Sequence, residues 1–142
     1  MAMDYTQMGP AIALGLGCIG SSIGCGIASM ASHAVMARVE EGHGAFIGMT
    51  AAPASQSIYG FVLMILMSAA IKDGRLSPEN ALGIGIFSGL ALMFSSIYQG
   101  KCAATGMQAA AKQPAILGKT FTALGIVESF SLFAFVFALL LF

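Results

Sequence analysis

The apolar residues of this chain neither alternate nor come in short runs. They gather into four long blocks, 8–36, 46–71, 80–110 and 115–142, separated by polar interruptions at 38–44, 72–79 and 112–114. Each block matches or exceeds the roughly 20 residues that carry a helix across a bilayer, so the pattern predicts an all-α membrane protein with four transmembrane helices. The blocks also repeat. Ser21-Ser22-Ile23 followed by Gly26 corresponds to Ser95-Ser96-Ile97 followed by Gly100, an offset of about seventy residues. The chain therefore reads as one membrane domain, 1–142, made of two repeated helical hairpins, 8–71 and 80–142. The loops 38–44 and 112–114 are equivalent and share a membrane face. The 72–79 turn and both termini lie on the other.

Local chemistry refines these elements. Ser77, Pro78 and Glu79 supply an N-cap, a proline at the first helical position and an acid in the first turn. In the first helix Ala13, Gly17, Ser21, Cys25 and Ser29 form one stripe of small residues, and Gly20, Gly24, Ala28 and Ser32 form another; Ala81, Gly85 and Gly89 repeat the theme in the third. Small stripes let helix backbones approach closely in lipid. Two adjacent stripes suit a helix flanked on both sides, as in a closed homo-oligomeric ring, although a monomeric four-helix bundle would use them too. Helices two and four carry the bulk, with Phe61, Leu63, Met64, Ile65, Leu66 and Met67, then Phe130, Leu132, Phe133, Phe135, Phe137 and residues 139–142. These predict an outer, lipid-facing layer.

Composition narrows the function. The chain is 58% hydrophobic and 8% charged, with zero formal net charge, so it carries no electrostatic footprint for nucleic acid. Residues 1–7 contain Asp4 and no basic residue, which argues against a cleavable signal peptide. Cys18, Cys25 and Cys102 are odd in number and lack metal-ligand spacing, so they read as packing residues without a disulfide. Arg38, Lys112 and Lys119 outnumber Lys72 and Arg75, a small positive-inside bias that puts the hairpin loops in the cytoplasm. Gly15, Gly17 and Gly20 match a dinucleotide fingerprint in spacing but follow no strand, and no P-loop exists in the sequence.

The polar residues inside the blocks carry the chemistry. Glu128 is the one acid in the fourth block, near its middle, where an ionised carboxyl costs several kcal/mol and marks an ion pathway. Counted from the hairpin-loop side, Gln56, Gln99 and Glu128 lie about twelve to fourteen residues in, or roughly 18 to 21 Å along ideal helices. Ser55 adjoins Gln56, and Tyr59 follows at i+3 on the same face. Pro53 removes an amide donor, bends helix two and frees the Met49 carbonyl. One level thus holds a carboxylate, two amides, a hydroxyl, a phenol and backbone oxygen. A hard cation replaces its hydration shell with such oxygens, whereas a proton needs the carboxyl alone, so the surplus favours sodium; amides that merely bond helices together are the plainer alternative. Gln56 occupies the slot of Glu128 in the first hairpin and Cys25 that of Gln99, so one carboxyl serves four helices. Lys101 points away from Gln99 and snorkels or lines an interior surface, while His33, His43, Arg38, Glu40 and Glu41 belong to a wet loop.

On these residues the chain resembles the proteolipid c-type, or K-type, subunit of V-type and A-type rotary ATPases over essentially its whole length. The resemblance is carried by Pro-Ala-Ser-Gln-Ser-Ile-Tyr-Gly-Phe at 53–61, Tyr-Gln-Gly-Lys-Cys-Ala-Ala at 98–104, Ala-Lys-Gln-Pro at 111–114 and Ile-Val-Glu-Ser at 126–129. It implies a ring of identical copies in the lipid, turning as a rotor against a stator subunit whose membrane arginine displaces the ion, with central-stalk subunits seated on the cytoplasmic loops. It implies no catalysis in this chain, since ATP hydrolysis resides in other subunits, and no organic cofactor. In sodium-pumping members the ion is held by groups that fall here on the Ser55 hydroxyl, Gln56, Gln99, Glu128 and the Ala52 carbonyl, with Tyr59 closing over it. Serine at 55 in place of the more familiar threonine keeps the hydroxyl and loses a methyl, which leaves both Na+ and H+ open. One carboxyl per four helices is associated in the family with pumping, and the host expected is a prokaryotic cell membrane.

A proton-carrying ring of the same family, a small four-helix proton-linked secondary transporter and a non-transporting scaffold are the competing readings. The transporter would need a substrate cavity between few subunits. The scaffold would tolerate loss of the Glu128 charge.

Overall fold

A computed structural model describes residues 5–142. Asp4 and the rest of 1–4, with the expectation about a leader that rests on them, lie outside the described residues. The described chain forms helices α1 (Met8–Met36), α2 (His43–Ala51), α3 (Ser55–Lys72), α4 (Pro78–Lys112) and α5 (Leu117–Leu139), with 3-10 turns at Ala52–Ala54 and Pro114–Ile116. They make four spans apolar and long enough to cross a membrane: Met8–Met36, His43–Lys72, Pro78–Lys112 and Pro114–Leu139. The fourth stops at Leu139, short of the predicted 142.

Local sequence sets these boundaries. Pro53 breaks the second span as predicted, and the chain tightens into the 3-10 turn there before resuming as α3. At the end of α3, Gly74 takes φ +72°. Its N–H donates to Ile71 O at 3.1 Å and that of Arg75 to Ala70 O at 2.9 Å, a Schellman pair that consumes two orphan carbonyls. Ser77 then caps α4 as predicted, its Oγ accepting from Asn80 N at 3.3 Å with Pro78 opening the helix. Ser77→Ala is expected to cost about 1 kcal/mol, read as a lower unfolding midpoint of the detergent-solubilised protein, with Ser77→Asp close to wild type.

The arrangement is a central pair, α1 and α4, with the second span packed on α1 and α5 packed on α4. The two stripes of α1 are both used inside one chain. Gly20 and Gly24 face α4, where an added Cβ would meet Met93 and Ser96 backbone, while Gly17 faces the Gln56 carbonyl of α3. The neighbours on both sides that the stripes call for are thus found within the monomer. Two apolar clusters form the core. Ala28, Val35, Phe46, Met49, Ala103, Met107, Ala110 and Leu124 fill the hairpin-loop end. Ala13, Leu63, Met67, Ala70, Leu76, Ala81 and Ala138 fill the opposite end.

The outer layer departs from expectation in detail. Ile58, Phe61, Ile65 and Leu66 on α3 and Phe130, Leu132, Phe133 and Phe137 on α5 are exposed, whereas Leu63 and Met67 turn inward and are fully buried. A run of bulky residues names a lipid-facing helix, but one side of that helix still has to fill the core. The central helix α4 also presents bulk on its free face, with Phe87, Phe94 and Tyr98 exposed. The three cysteines are free.

Candidate ion-binding site

Between the two apolar clusters lies a polar layer assembled from α3, α4 and α5. Pro53 and the 3-10 turn aim its first members: Ser55 Oγ sits 3.1 Å from the Ala52 carbonyl and 3.3 Å from Gln56 Oε1. Pro53 O accepts from Ser96 Oγ at 2.7 Å, tying the break in the second span to α4. On α5, Ile126 is exposed, while the next residue, Val127, accepts through its carbonyl from Ser95 Oγ at 3.0 Å, which locks α5 against α4 at this depth.

Glu128 is half-buried. Tyr59 Oη donates to its Oε1 at 3.0 Å, and Gln99 Nε2 donates to its Oε2 at 3.4 Å. Tyr59 in turn stacks on Phe135 with ring centroids 5.6 Å apart. Among the described residues the one ion pair is Arg75 with Asp73, in the distant turn, so no basic side chain neutralises Glu128. An unpaired carboxylate in this setting is costly, and a proton or a bound cation removes the cost.

Gln56 and Gln99 are fully buried, which obliges their amides to find partners. Gln56 Nε2 donates to Gln99 Oε1 at 3.0 Å and to Ser131 Oγ at 3.1 Å. Gln99 Nε2 donates to Leu124 O at 3.3 Å besides Glu128. Each NH2 has two hydrogens, and all four are spent. What remains uncommitted is acceptor capacity: lone pairs on Gln56 Oε1, Gln99 Oε1, Ser55 Oγ and the Glu128 carboxylate, beside the Ala52 carbonyl, which accepts from the Ser55 N–H and lies 3.1 Å from Ser55 Oγ. An oxygen-rich, donor-exhausted cluster with a single negative charge is chemistry for a hard monovalent cation. No group of three or more His, Cys, Asp or Glu occurs among the described residues, as a transition-metal centre would require.

All of Ser55, Gln56, Tyr59, Gln99 and Glu128 are brought into one connected network, and Ala52 enters through its carbonyl. Ser131 and Ser96 are members that sequence reasoning missed. Ser131 lies at i+3 from Glu128 and therefore on its face, a signal that was available. Lys101 is outside the network, as expected: its Nζ lies 4.8 Å from the centroid of Tyr98 on the exposed face of α4. His33, Arg38, Glu40, Glu41 and His43 lie in or near the first hairpin loop, where His43 Nε2 lies 2.7 Å from Val39 O.

The fold and this layer define an integral membrane proteolipid made of two hairpin repeats around one carboxyl. The chain belongs to the ATP synthase C-subunit family, which it matches twice, over residues 8–67 and 82–141. Those two matches coincide with the two hairpins. It is 32% identical over 134 residues to the A-type ATP synthase subunit K of Methanocaldococcus jannaschii, covering 94% of this chain and 60% of that protein. It is 31% identical over 125 residues to the V-type sodium ATPase subunit K of Enterococcus hirae, covering 87% of this chain and 80% of that protein. The chain thus spans less than two thirds of the length of the archaeal relative. The resemblance to a V/A-type rotor proteolipid is borne out by the family match and by both relatives.

Proposed function

We propose that this chain is one copy of the membrane rotor ring of a V/A-type ATPase and that it carries Na+ at Glu128. The observation that supports this most is a mid-span carboxyl whose side-chain partners are a phenol and an amide, with no cation of its own. The Glu128 carboxylate, the Gln56 and Gln99 amide oxygens, the Ser55 hydroxyl and the Ala52 carbonyl would take over the hydration shell of the ion. Tyr59, held by Phe135, would close over the carboxylate on the lipid side. A loaded site is neutral and can pass through lipid; an empty one is held back by its charge. Rotation would therefore be coupled to occupancy. The name of the Enterococcus hirae relative, a sodium ATPase subunit, supports Na+ as the cargo.

The partners follow from the same reading. Identical copies would close the ring, a stator subunit would supply a membrane arginine to displace the ion, and stalk subunits would sit on the hairpin loops. Those loops would face the cytoplasm of a prokaryotic cell, with the termini on the opposite side. A proton-carrying ring is the second reading. It is favoured by the Gln56 and Gln99 amides, whose bonds to each other, to Ser131 Oγ and to Leu124 O join the helices without a bound ion.

Carbodiimide labelling decides between the two. The reagent reacts with the protonated carboxyl, and in this chain Glu128 is expected to be the residue modified in the purified oligomer. Na+ at neutral pH is expected to slow labelling in a concentration-dependent way, while K+ at equal ionic strength does not. Labelling that falls with rising pH and ignores Na+ would sink the sodium reading and leave the proton ring.

A further inference from the structure

We infer that Ser131 is a positioning residue for the cation at Glu128: its hydroxyl holds the Gln56 amide with the oxygen turned to the ion and the nitrogen turned away, and so sets the preference for Na+ over H+. The inference deepens the sodium reading above and rests on it.

Ser131 has 0% exposure, and a hydroxyl so placed must use its hydrogen and its lone pairs within the protein. The hydrogen is committed, because Ser131 Oγ donates to the Glu128 carbonyl oxygen at 2.6 Å, one turn back on α5. A serine hydroxyl has one hydrogen, so towards Gln56 it can only accept. The Gln56 atom 3.1 Å away is therefore the NH2 nitrogen. The second hydrogen of that NH2 is taken by Gln99 Oε1 at 3.0 Å. Gln56 Oε1 is left on the opposite side of the amide, 3.3 Å from Ser55 Oγ, where a cation bound to Glu128 would meet it.

A backbone carbonyl on α5 thus joins Gln99 Oε1 and Ser55 Oγ in requiring, through two side chains, that an acceptor and not a donor faces the ion. The reversed amide would set a carbonyl oxygen against the lone pairs of Ser131 and aim two N–H bonds at the cation. Such a reversal removes a ligand from Na+ and replaces it with a repulsive dipole. A proton needs only the carboxyl and is indifferent to it. Ser131 is therefore placed to separate the two ions without touching either.

The test uses the assembled oligomer in detergent, with the rate of carbodiimide labelling at Glu128 followed against Na+ concentration for the wild type, Ser131→Ala and Ser131→Thr. Loss of one well-placed hydrogen-bond partner is expected to raise the half-protecting Na+ concentration of Ser131→Ala about tenfold or more. Each variant's labelling rate in Na+-free buffer is the reference for its own titration, so half-protection reads the response to Na+ and not the basal reactivity of the carboxyl. Ser131→Thr, which keeps the hydroxyl, restores protection. Half-protection in Ser131→Ala equal to that of the wild type overturns the role of Ser131 alone. Failure of Ser131→Thr to restore protection also overturns it, since that reports general collapse of the layer and not a misdirected amide. A wild type that Na+ does not protect overturns the sodium reading, and this inference with it.

Discussion

Replacement of Glu128 by glutamine is expected to reduce ion transport by the assembled complex to background while the subunit still folds and inserts. The amide has nearly the shape of the carboxylate and its oxygen still accepts from Tyr59 Oη, now 3.0 Å from Oε1. On the other side its NH2 would oppose Gln99 Nε2, now 3.4 Å from Oε2, but Gln99 keeps its bond to Leu124 O at 3.3 Å. The fold loses little. Removal of a membrane charge worth roughly 3 kcal/mol on insertion scales offsets the lost contact. The transport cycle loses everything, because a group that is neutral in every state neither attracts an ion from water nor is held back when empty. Ion flux into vesicles holding the whole complex, with carbodiimide labelling of the same sample, checks both halves. Retained flux, or labelling at another carboxyl in the variant, would remove Glu128 from the mechanism. The scaffold reading, in which the substitution is harmless, makes the opposite forecast.

How much of this was legible beforehand depends on which coordinate is asked for. Depth was legible, because a helix rises by a constant amount per residue. Counting along the chain placed Gln56, Gln99 and Glu128 at one level, and the structure joins them by hydrogen bonds. Boundaries were legible where the backbone has no choice: Pro53 breaks a helix wherever it is buried, and Ser77 before Pro78 opens one. Direction around the helix was harder. Ser129 and Ser131 look alike in sequence and both donate back along their own helix, to Ile126 O at 2.7 Å and Glu128 O at 2.6 Å, yet Ser131 turns inward and also accepts from Gln56 Nε2. Only the position of α3 against α5 distinguishes them. The same limit explains Leu63 and Met67, read as lipid-facing from their bulk and found in the core. It also explains the small stripes of α1. Their spacing announced close neighbours on two sides, but nothing local states whether a neighbour comes from the same chain or another copy.

The close approach of α1 and α4 ties packing to the site, and Gly100→Ala is expected to damage both. A Cβ at Gly100 would lie 2.6 Å from the carbonyl carbon and 2.6 Å from the Cα of Gly24 on α1, and closer still to its carbonyl oxygen. These are backbone atoms that cannot swing aside, so the two central helices must part. Overpacking of this kind costs about 1–3 kcal/mol or more. Gly100 directly follows Gln99, and across the same contact a Cβ at Gly24 would lie 2.8 Å from Pro53 Cβ. Separation there would strain the 2.7 Å bond from Ser96 Oγ to Pro53 O and shift the turn that presents Ala52 and Ser55. Lower thermal stability should therefore appear together with weaker Na+ protection of Glu128. Gly48→Ala is the control: nothing lies within 4 Å of an added Cβ there, and the exchange favours helix by up to about 1 kcal/mol. Heating the detergent-solubilised variants and repeating the labelling titration measures the two effects on one sample. If Gly100→Ala proved as stable as Gly48→Ala, the central contact would not be the constraint that sets the height and spacing of the polar layer.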